Sequence, residues 1–291
     1  MNERFVEEVG ISEWHGPFGP NVRASALDAL ESGKVLYFPS LAFSLSDAEK
    51  EFLSPAVASG RSKNISFDHT NCKLQGMSVS GGKAEQLGRM VERFGKGATA
   101  LVEDLLGYRN FERARTSYRP VEIEGRSYSP TQDDRLLHVD AFPSRPMHGR
   151  RILRFFANVA PERPRSWEVG EPFEDFAKKF LPRVGEELPG KSWLFDKLGV
   201  THGMRSRYDE VMLQLHDRCK LDADYQKNGP HTALSFPPGT CWMVYTDQVL
   251  HAALAGHCAL EQTFHLPVGA LAHPEQSPLR VLERLASRAL A

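Results

Sequence analysis

Residues 135–142 read RLLHVDAF, and the fold turns on whether this stretch is extended. Along a strand, residues two apart point to the same face. His138 and Asp140 would then project side by side, an imidazole next to a carboxylate. They supply two of the three side chains of a two-histidine, one-carboxylate facial triad. Such a triad grips a metal on one face and leaves the other positions open to further ligands. Alone the pattern is weak, because roughly 0.5 such matches are expected by chance in a chain of this size. The competing reading is a satisfied histidine that happens to stand near an aspartate.

Further along, residues 237–254 read PPGTCWMVYTDQVLHAAL: a Pro-Gly turn, an aromatic strand, then His251 at the head of another apolar run. A third ligand about 110 residues from Asp140 suits a barrel or sandwich in which distant strands converge. His257 competes for the role. His251 is preferred because it follows the strand and turn directly and has small apolar neighbours.

Between the two segments lies RRILRFFANV, residues 150–159. Its odd positions are mostly apolar, while Arg154 and Asn158 share the even face. So hydrophobic a strand should not place them there unless that face lines a polar cavity. A guanidinium in such a cavity can hold a carboxylate through paired hydrogen bonds. The stretch from Arg109 to Arg165 contains 12 arginines, no lysine and 7 acidic residues. The basic excess therefore sits around the proposed motif, with Arg119 and Arg150 expected nearest to it.

The rest of the chain frames this centre. KVLYFP (34–39), TSYRPVEI (116–123), CWMVYT (241–246) and QTFHLPV (262–268) read as strands. Ser46 with Glu49 forms a capping-box pattern opening a helix at 46–52. Residues 84–106 have helical periodicity, with an interruption expected near Gly95 and Gly97. Helical pieces are predicted at 172–181, 207–219 and 278–290. The plan is one domain spanning 1–291: a helix-rich part over about 1–112, then a strand core over about 113–270. An insertion is expected over about 161–234, and a closing helix over 278–290. Mainly β with flanking helices, this is an α+β arrangement built on a β-sandwich or barrel.

Composition narrows the classes. With 291 residues, 41% hydrophobic and 25% charged, the chain is globular. A net charge of -1 does not ask for nucleic acid. No run approaches the ~18 apolar residues of a membrane span, and MNERFVEEVG has no apolar signal region. The four cysteines form no CxxC pair, so they are expected to be reduced, buried structural thiols in a cytoplasmic chain.

HVDAFPSRPMHGRRILRFFANVAP (138–161), PPGTCWMVYTDQVLHAAL and EQTFHLPV (261–268) together resemble the Kdo hydroxylase family, and the likeness extends along the chain. Its members are Fe(II)/2-oxoglutarate-dependent dioxygenases that hydroxylate the 3-position of 3-deoxy-D-manno-oct-2-ulosonic acid (Kdo) in lipopolysaccharide, giving Ko. The resemblance implies a double-stranded β-helix (jelly-roll, cupin-like) core. It implies Fe(2+) held by His138, Asp140 and His251, with 2-oxoglutarate and O2 as cosubstrates. Many members of the wider superfamily carry the 2-oxoglutarate arginine shortly after the distal histidine. No arginine lies between His251 and Pro267 here, which leaves Arg154, helped by Arg119 and Asn158, for 2-oxoglutarate, and Arg150 for substrate. The implied partner is Kdo on a phosphorylated lipid A precursor, reached by peripheral contact at the cytoplasmic face of the inner membrane. An aspartate at 140 argues against the related halogenases, which need that coordination position for halide. Other readings are a dioxygenase acting on a different small acid, a sugar-binding jelly roll without turnover, and a zinc hydrolase. The last would need a positioned carboxylate base, and no motif supplies one.

Overall fold

Prolines and glycines set many of the element boundaries, including the start of α1 at Pro20 and the start of α8 at Pro278. In the computed structural model, which describes residues 2–60, 62, 64–125, 128–185 and 191–291, the elements run as follows in chain order. The first half contains β1 (Val6–Glu8), α1 (Pro20–Glu31), β2 (Val35–Phe38), α2 (Asp47–Lys50), β3 (Ile65–Asp68), β4 (Lys73–Gln75), α3 (Gly81–Leu101), β5 (Glu112–Arg119) and β6 (Arg151–Asn158). The second half contains β7 (Arg165–Gly170), α4 (Phe173–Phe180), α5 (Lys191–Lys197), α6 (Arg207–Leu221), α7 (Ala223–Asn228), β8 (His231–Phe236), β9 (Cys241–Tyr245), β10 (His251–Ala255), β11 (Ala259–Leu266) and α8 (Pro278–Ala286). The strands β2, β5 and β11 each stop at the residue before a proline, which cannot donate to the ladder. The Ser46–Glu49 capping box forms as expected.

The strands make two sheets, one in the order β1-β2-β9-β6-β11-β5-β3-β4 and one in the order β10-β7-β8. They face each other as a jelly roll. Between them sit Phe156 and Trp242 from the larger sheet and Trp167 and Phe236 from the smaller. Trp242 stacks on Phe236 at 4.2 Å and on Phe156 at 5.0 Å, and Trp167 meets Trp242 edge-on at 5.7 Å. Aromatic pairs add about 0.5–1.5 kcal/mol each beyond area burial, whereas a surface ion pair adds about 0–1 kcal/mol. The aromatic stack, not the charged rim, therefore sets the spacing of the sheets.

Period-2 alternation along β6 turns Leu153, Phe155 and Ala157 the other way, into the helix-covered core with Phe94 and Leu101 of α3. Here the structure departs from expectation. Residues 81–101 form one unbroken helix that runs on into a π-type turn over 102–106. Gly95 does not break it. A Cβ there would meet Arg113, Thr116 and Gln262, and one at Gly97 would meet Trp14 at 2.9 Å. Both glycines permit close packing of the helix on its neighbours.

Two further expectations are corrected. The stretch 161–234 contains β7 near its start and enters β8 at its end, so it contributes strands to the smaller sheet; α4, α5, α6 and α7 lie between them. Helices α4, α6 and α8 form their own apolar cluster, which receives Val139 and Leu250 from behind the HVD motif. Cysteines 219, 241 and 258 are buried, but Cys72 is exposed.

Candidate metal centre

His138 and Asp140 do not lie in a named strand. The segment is nonetheless extended, held by single backbone bonds on both sides. His138 and His251 exchange N–H to carbonyl bonds of 3.1 and 2.9 Å, and the Asp140 N–H donates to the Thr246 carbonyl at 2.8 Å. The i, i+2 geometry therefore survives without a continuous ladder. His251, the first residue of β10, is brought directly opposite His138. One donor atom from each of His138, Asp140 and His251 falls within a 4.8 Å cluster, and all three residues are buried.

Each imidazole is oriented from behind. His138 Nδ1 lies 2.7 Å from the Leu136 carbonyl, and His251 Nδ1 lies 2.9 Å from the Val249 carbonyl. A backbone carbonyl only accepts, so both Nδ1 atoms are the protonated ones and both Nε2 lone pairs are bare. The His251 ring also stacks on Trp167 at 5.2 Å. Burial holds the His138 imidazole well below its ordinary range, aided by His251 and Lys220 and opposed by Asp140. Burial likewise lowers His251. For Asp140, burial pushes upward, but Arg154, the two imidazoles and Thr246 outweigh it, so the group stays a carboxylate. Two neutral imidazoles and one carboxylate on one face are a donor set that fits a divalent first-row metal.

The cavity around these residues is about 540 Å³ and is walled by β6, β7, β10, the 128–135 segment and α6. Arg154 projects into it from β6, as its alternation predicts. Its Nη2 lies 2.8 Å from Asp140 Oδ2 and its Nη1 3.2 Å from Glu261 Oε1. Arg119 also lines the cavity and binds the same glutamate, Nε to Oε2 at 2.7 Å. The result is a buried row of alternating charge: Arg119, Glu261, Arg154, Asp140. Glu261 stands on β11, the strand after the distal histidine. Arg154 Nε is buried with no acceptor, an orphan donor beside the triad.

Other candidates lie elsewhere. Asn158 turns out of the cavity. Its amide donates to the Arg163 and Phe236 carbonyls at 3.0 and 2.9 Å and accepts from the Ala160 N–H at 3.0 Å, so it clips a turn. Arg150 is not among the residues lining the cavity; it pairs with Glu112 at 2.7 Å. His257 Nδ1 stands 3.0 Å from Glu122 and is likewise not in the cavity wall. The expected basic excess is largely neutralised. Arg145 shares Glu112 with Arg150, Arg163 bridges Glu122 and Glu124, Arg135 holds Asp133, and Arg151 is buried against Asp247. Arg126 lies outside the described residues.

Sequence reasoning missed the wall supplied by α6. Leu213, His216, Asp217 and Lys220 face the cavity, and the His216 ring meets His138 edge-on at 5.4 Å. The available signal was weak: His216, Asp217 and Lys220 recur at spacings of three and four, but on a helix that also carries Arg207, Asp209, Glu210, Gln214 and Arg218.

A family model described as 3-deoxy-D-manno-oct-2-ulosonic acid (Kdo) hydroxylase matches residues 13–289. The chain is similar to the solved Kdo hydroxylase KdoO, a non-heme Fe(II) alphaketoglutarate dependent dioxygenase. Against its complex with alphaketoglutarate and Fe(III), identity is 43% and TM-score 0.95, covering 99% of this chain and 97% of that one. Against its complex with cobalt(II), identity is 45% and TM-score 0.95, covering 98% and 97%. No curated protein matches.

Proposed function

Because the chain belongs to the Kdo hydroxylase family, we propose that it hydroxylates Kdo with Fe(II), 2-oxoglutarate and O2, using His138, Asp140 and His251 to hold the metal. The observation that carries this reading is the convergence of three buried donors whose imidazoles are tied back through Nδ1. Fe(II) bound there, with its two cosubstrates, supplies the oxidising power for breaking a C–H bond. The chain's own residues orient, neutralise and exclude water.

The charges support this division of labour. Arg119, Glu261, Arg154 and Asp140 sum to zero, so a dication and a dianionic 2-oxoglutarate enter together without net charge. Arg154 is ion-paired with Asp140 Oδ2, and its guanidinium together with that of Arg119 supplies the positive end of the cavity for a carboxylate of 2-oxoglutarate. Phe142, Phe156 and Trp167 supply apolar wall that keeps water from the reacting carbon.

The finer reading is hydroxylation at the 3-position of Kdo carried on a lipid A precursor, at the cytoplasmic face of the membrane. Among the described residues, no helix is long and apolar enough to cross a membrane. Four exposed apolar side chains, Trp193, Leu198, Val200 and Met204, fall within twelve residues that also hold Lys197. The His202 N–H to Ser144 carbonyl bond of 2.8 Å ties this stretch to the loop that follows Asp140. We assign that face to the lipid surface, where aromatic and basic side chains combine favourably.

The deciding experiment is mass spectrometry of Kdo–lipid A after incubation with iron-loaded protein, 2-oxoglutarate and O2. One added oxygen on the sugar is expected. No mass change, with 2-oxoglutarate still consumed in an uncoupled reaction, would leave an oxygenase of another acid.

A further inference from the structure

Lys220 is 4% exposed, yet it lines the cavity of the triad. An ammonium carries three donors. Lys220 Nζ makes one hydrogen bond, of 3.3 Å, to the Thr131 carbonyl. Among the described residues no carboxylate oxygen stands within 4.0 Å of it. Of the neighbouring acids, Asp133 is engaged with Arg135, Asp140 with Arg154, and Asp217 with the His216 ring at 2.8 Å, while Asp134 faces the same cavity without forming an ion pair with Lys220. Burial lowers the Lys220 pKa, opposed by Asp134, Asp140, Asp133 and Asp217. A buried cation with one long bond is under-satisfied, and a guest anion would complete it.

The two arginines nearest the triad, Arg154 and Arg119, are held by Asp140 and by Glu261 of β11. Lys220 differs: it is a point charge on a flexible four-carbon stem, able to meet a carboxylate without the planar alignment a guanidinium demands. It stands one helical turn from His216, whose ring touches His138. The side chain thus reaches the same chamber as the metal from the helical wall, separately from the row on β5, β6 and β11. Asp134 and Asp217 line the same region, and carboxylates are good acceptors for sugar hydroxyls.

We propose that Lys220 seats the carboxylate of the sugar acid, with Asp134 and Asp217 accepting from its hydroxyls, so that the helical wall of α6 selects a polyhydroxylated acid. This rests on the reading of Kdo as substrate. Lys220 is then a specificity residue, distinct from the arginine pair assigned to 2-oxoglutarate.

The test is anaerobic calorimetry of free Kdo, and of its carboxamide, binding to the Fe(II)–2-oxoglutarate protein, for the native chain, Lys220→Met and Lys220→Arg. Lys220→Met is expected to weaken Kdo by about tenfold or more, the loss of one charge-assisted contact. The carboxamide should bind both proteins alike, and Lys220→Arg should recover part of the loss. The half-saturation of the visible band by 2-oxoglutarate should not move, and Lys220→Met should melt no lower than the native chain. Equal Kdo affinity in Lys220→Met would overturn the assignment and leave the substrate reading standing. So would an equal loss for acid and carboxamide, a lowered melting point, or a weakened 2-oxoglutarate band. A native chain that neither binds nor hydroxylates Kdo would overturn the substrate reading, and this assignment with it.

Discussion

Arg154 holds one oxygen of Asp140 at 2.8 Å, while the other oxygen of that carboxylate stands 3.8 Å from His138 Nε2. The two oxygens of the carboxylate thus differ, Oδ2 being ion-paired with the guanidinium and Oδ1 lying on the side of the imidazole. It also couples the metal site to Glu261 and Arg119 on the neighbouring strands.

Arg154→Met should therefore damage two properties together. Removing one partner of a buried ion pair costs about 3–5 kcal/mol, because the remaining charges are stranded. A lower melting temperature is expected. So is at least about tenfold weaker 2-oxoglutarate binding, read from the anaerobic Fe(II) charge-transfer band. Intact 2-oxoglutarate affinity in a folded variant would remove Arg154 from the cosubstrate site.

His138→Ala and His251→Ala should abolish that band, whereas His257→Ala should leave it in place. His257 faces Glu122 and does not line the cavity. Loss of the band in His257→Ala with retention in His251→Ala would reverse the choice of distal ligand.

Acid should destabilise the protein partly through His265. Burial lowers this histidine to about 4, with Glu112 opposing and Arg145, Arg150 and Arg154 reinforcing. The unfolded chain takes up its proton near pH 6.5, while the folded chain stays neutral down to about pH 4. Between those values the unfolded state binds more protons, so stability falls as pH falls. The slope is on the order of 1.4 kcal/mol per pH unit for one proton. Above about pH 6.5 the group contributes no slope. Urea titrations from pH 7 to 4.5 should show a shallower decline for His265→Gln than for the native protein.

Gly95→Ala should be among the most damaging conservative changes on α3. Its Cβ would stand 2.6 Å from Thr116 Oγ1 and 2.8 Å from Gln262 Oε1, within a buried network that those two atoms share. Overpacking of this kind costs about 1–3 kcal/mol. Gly82→Ala, with nothing within 4 Å of the new Cβ, should be neutral or slightly stabilising. Equal melting temperatures for the two variants would refute the packing role of Gly95.

Much of the architecture was legible because it is local. Alternation marks β6 and separates its two faces, Pro39 ends β2, and Ser46 and Glu49 announce their own cap, whereas the strands read through Pro120 and Pro267 in fact stop at Arg119 and Leu266. The two-residue spacing that puts His138 beside Asp140 is also local, and it holds although only a single bridge, not a full strand, supports it. Periodicity could not tell whether a glycine on a helix marks a break or a close approach. That depends on which strand passes beneath Gly95.

What the sequence determined by itself was the helix-rich first part followed by a strand core and a closing helix, the HVD pair and the face of β6 that carries Arg154. The tertiary structure decided which charges cancel and which remain. Arg119 and Glu261 are 142 residues apart, and they meet only because β11 inserts between β5 and β6. The same packing uses Asn158 as a clip, neutralises Arg150 at the edge and brings Lys220 of α6 to the cavity. Coulombic pairing acts through space at a few ångströms, and a count of arginines along the chain carries no information about that distance.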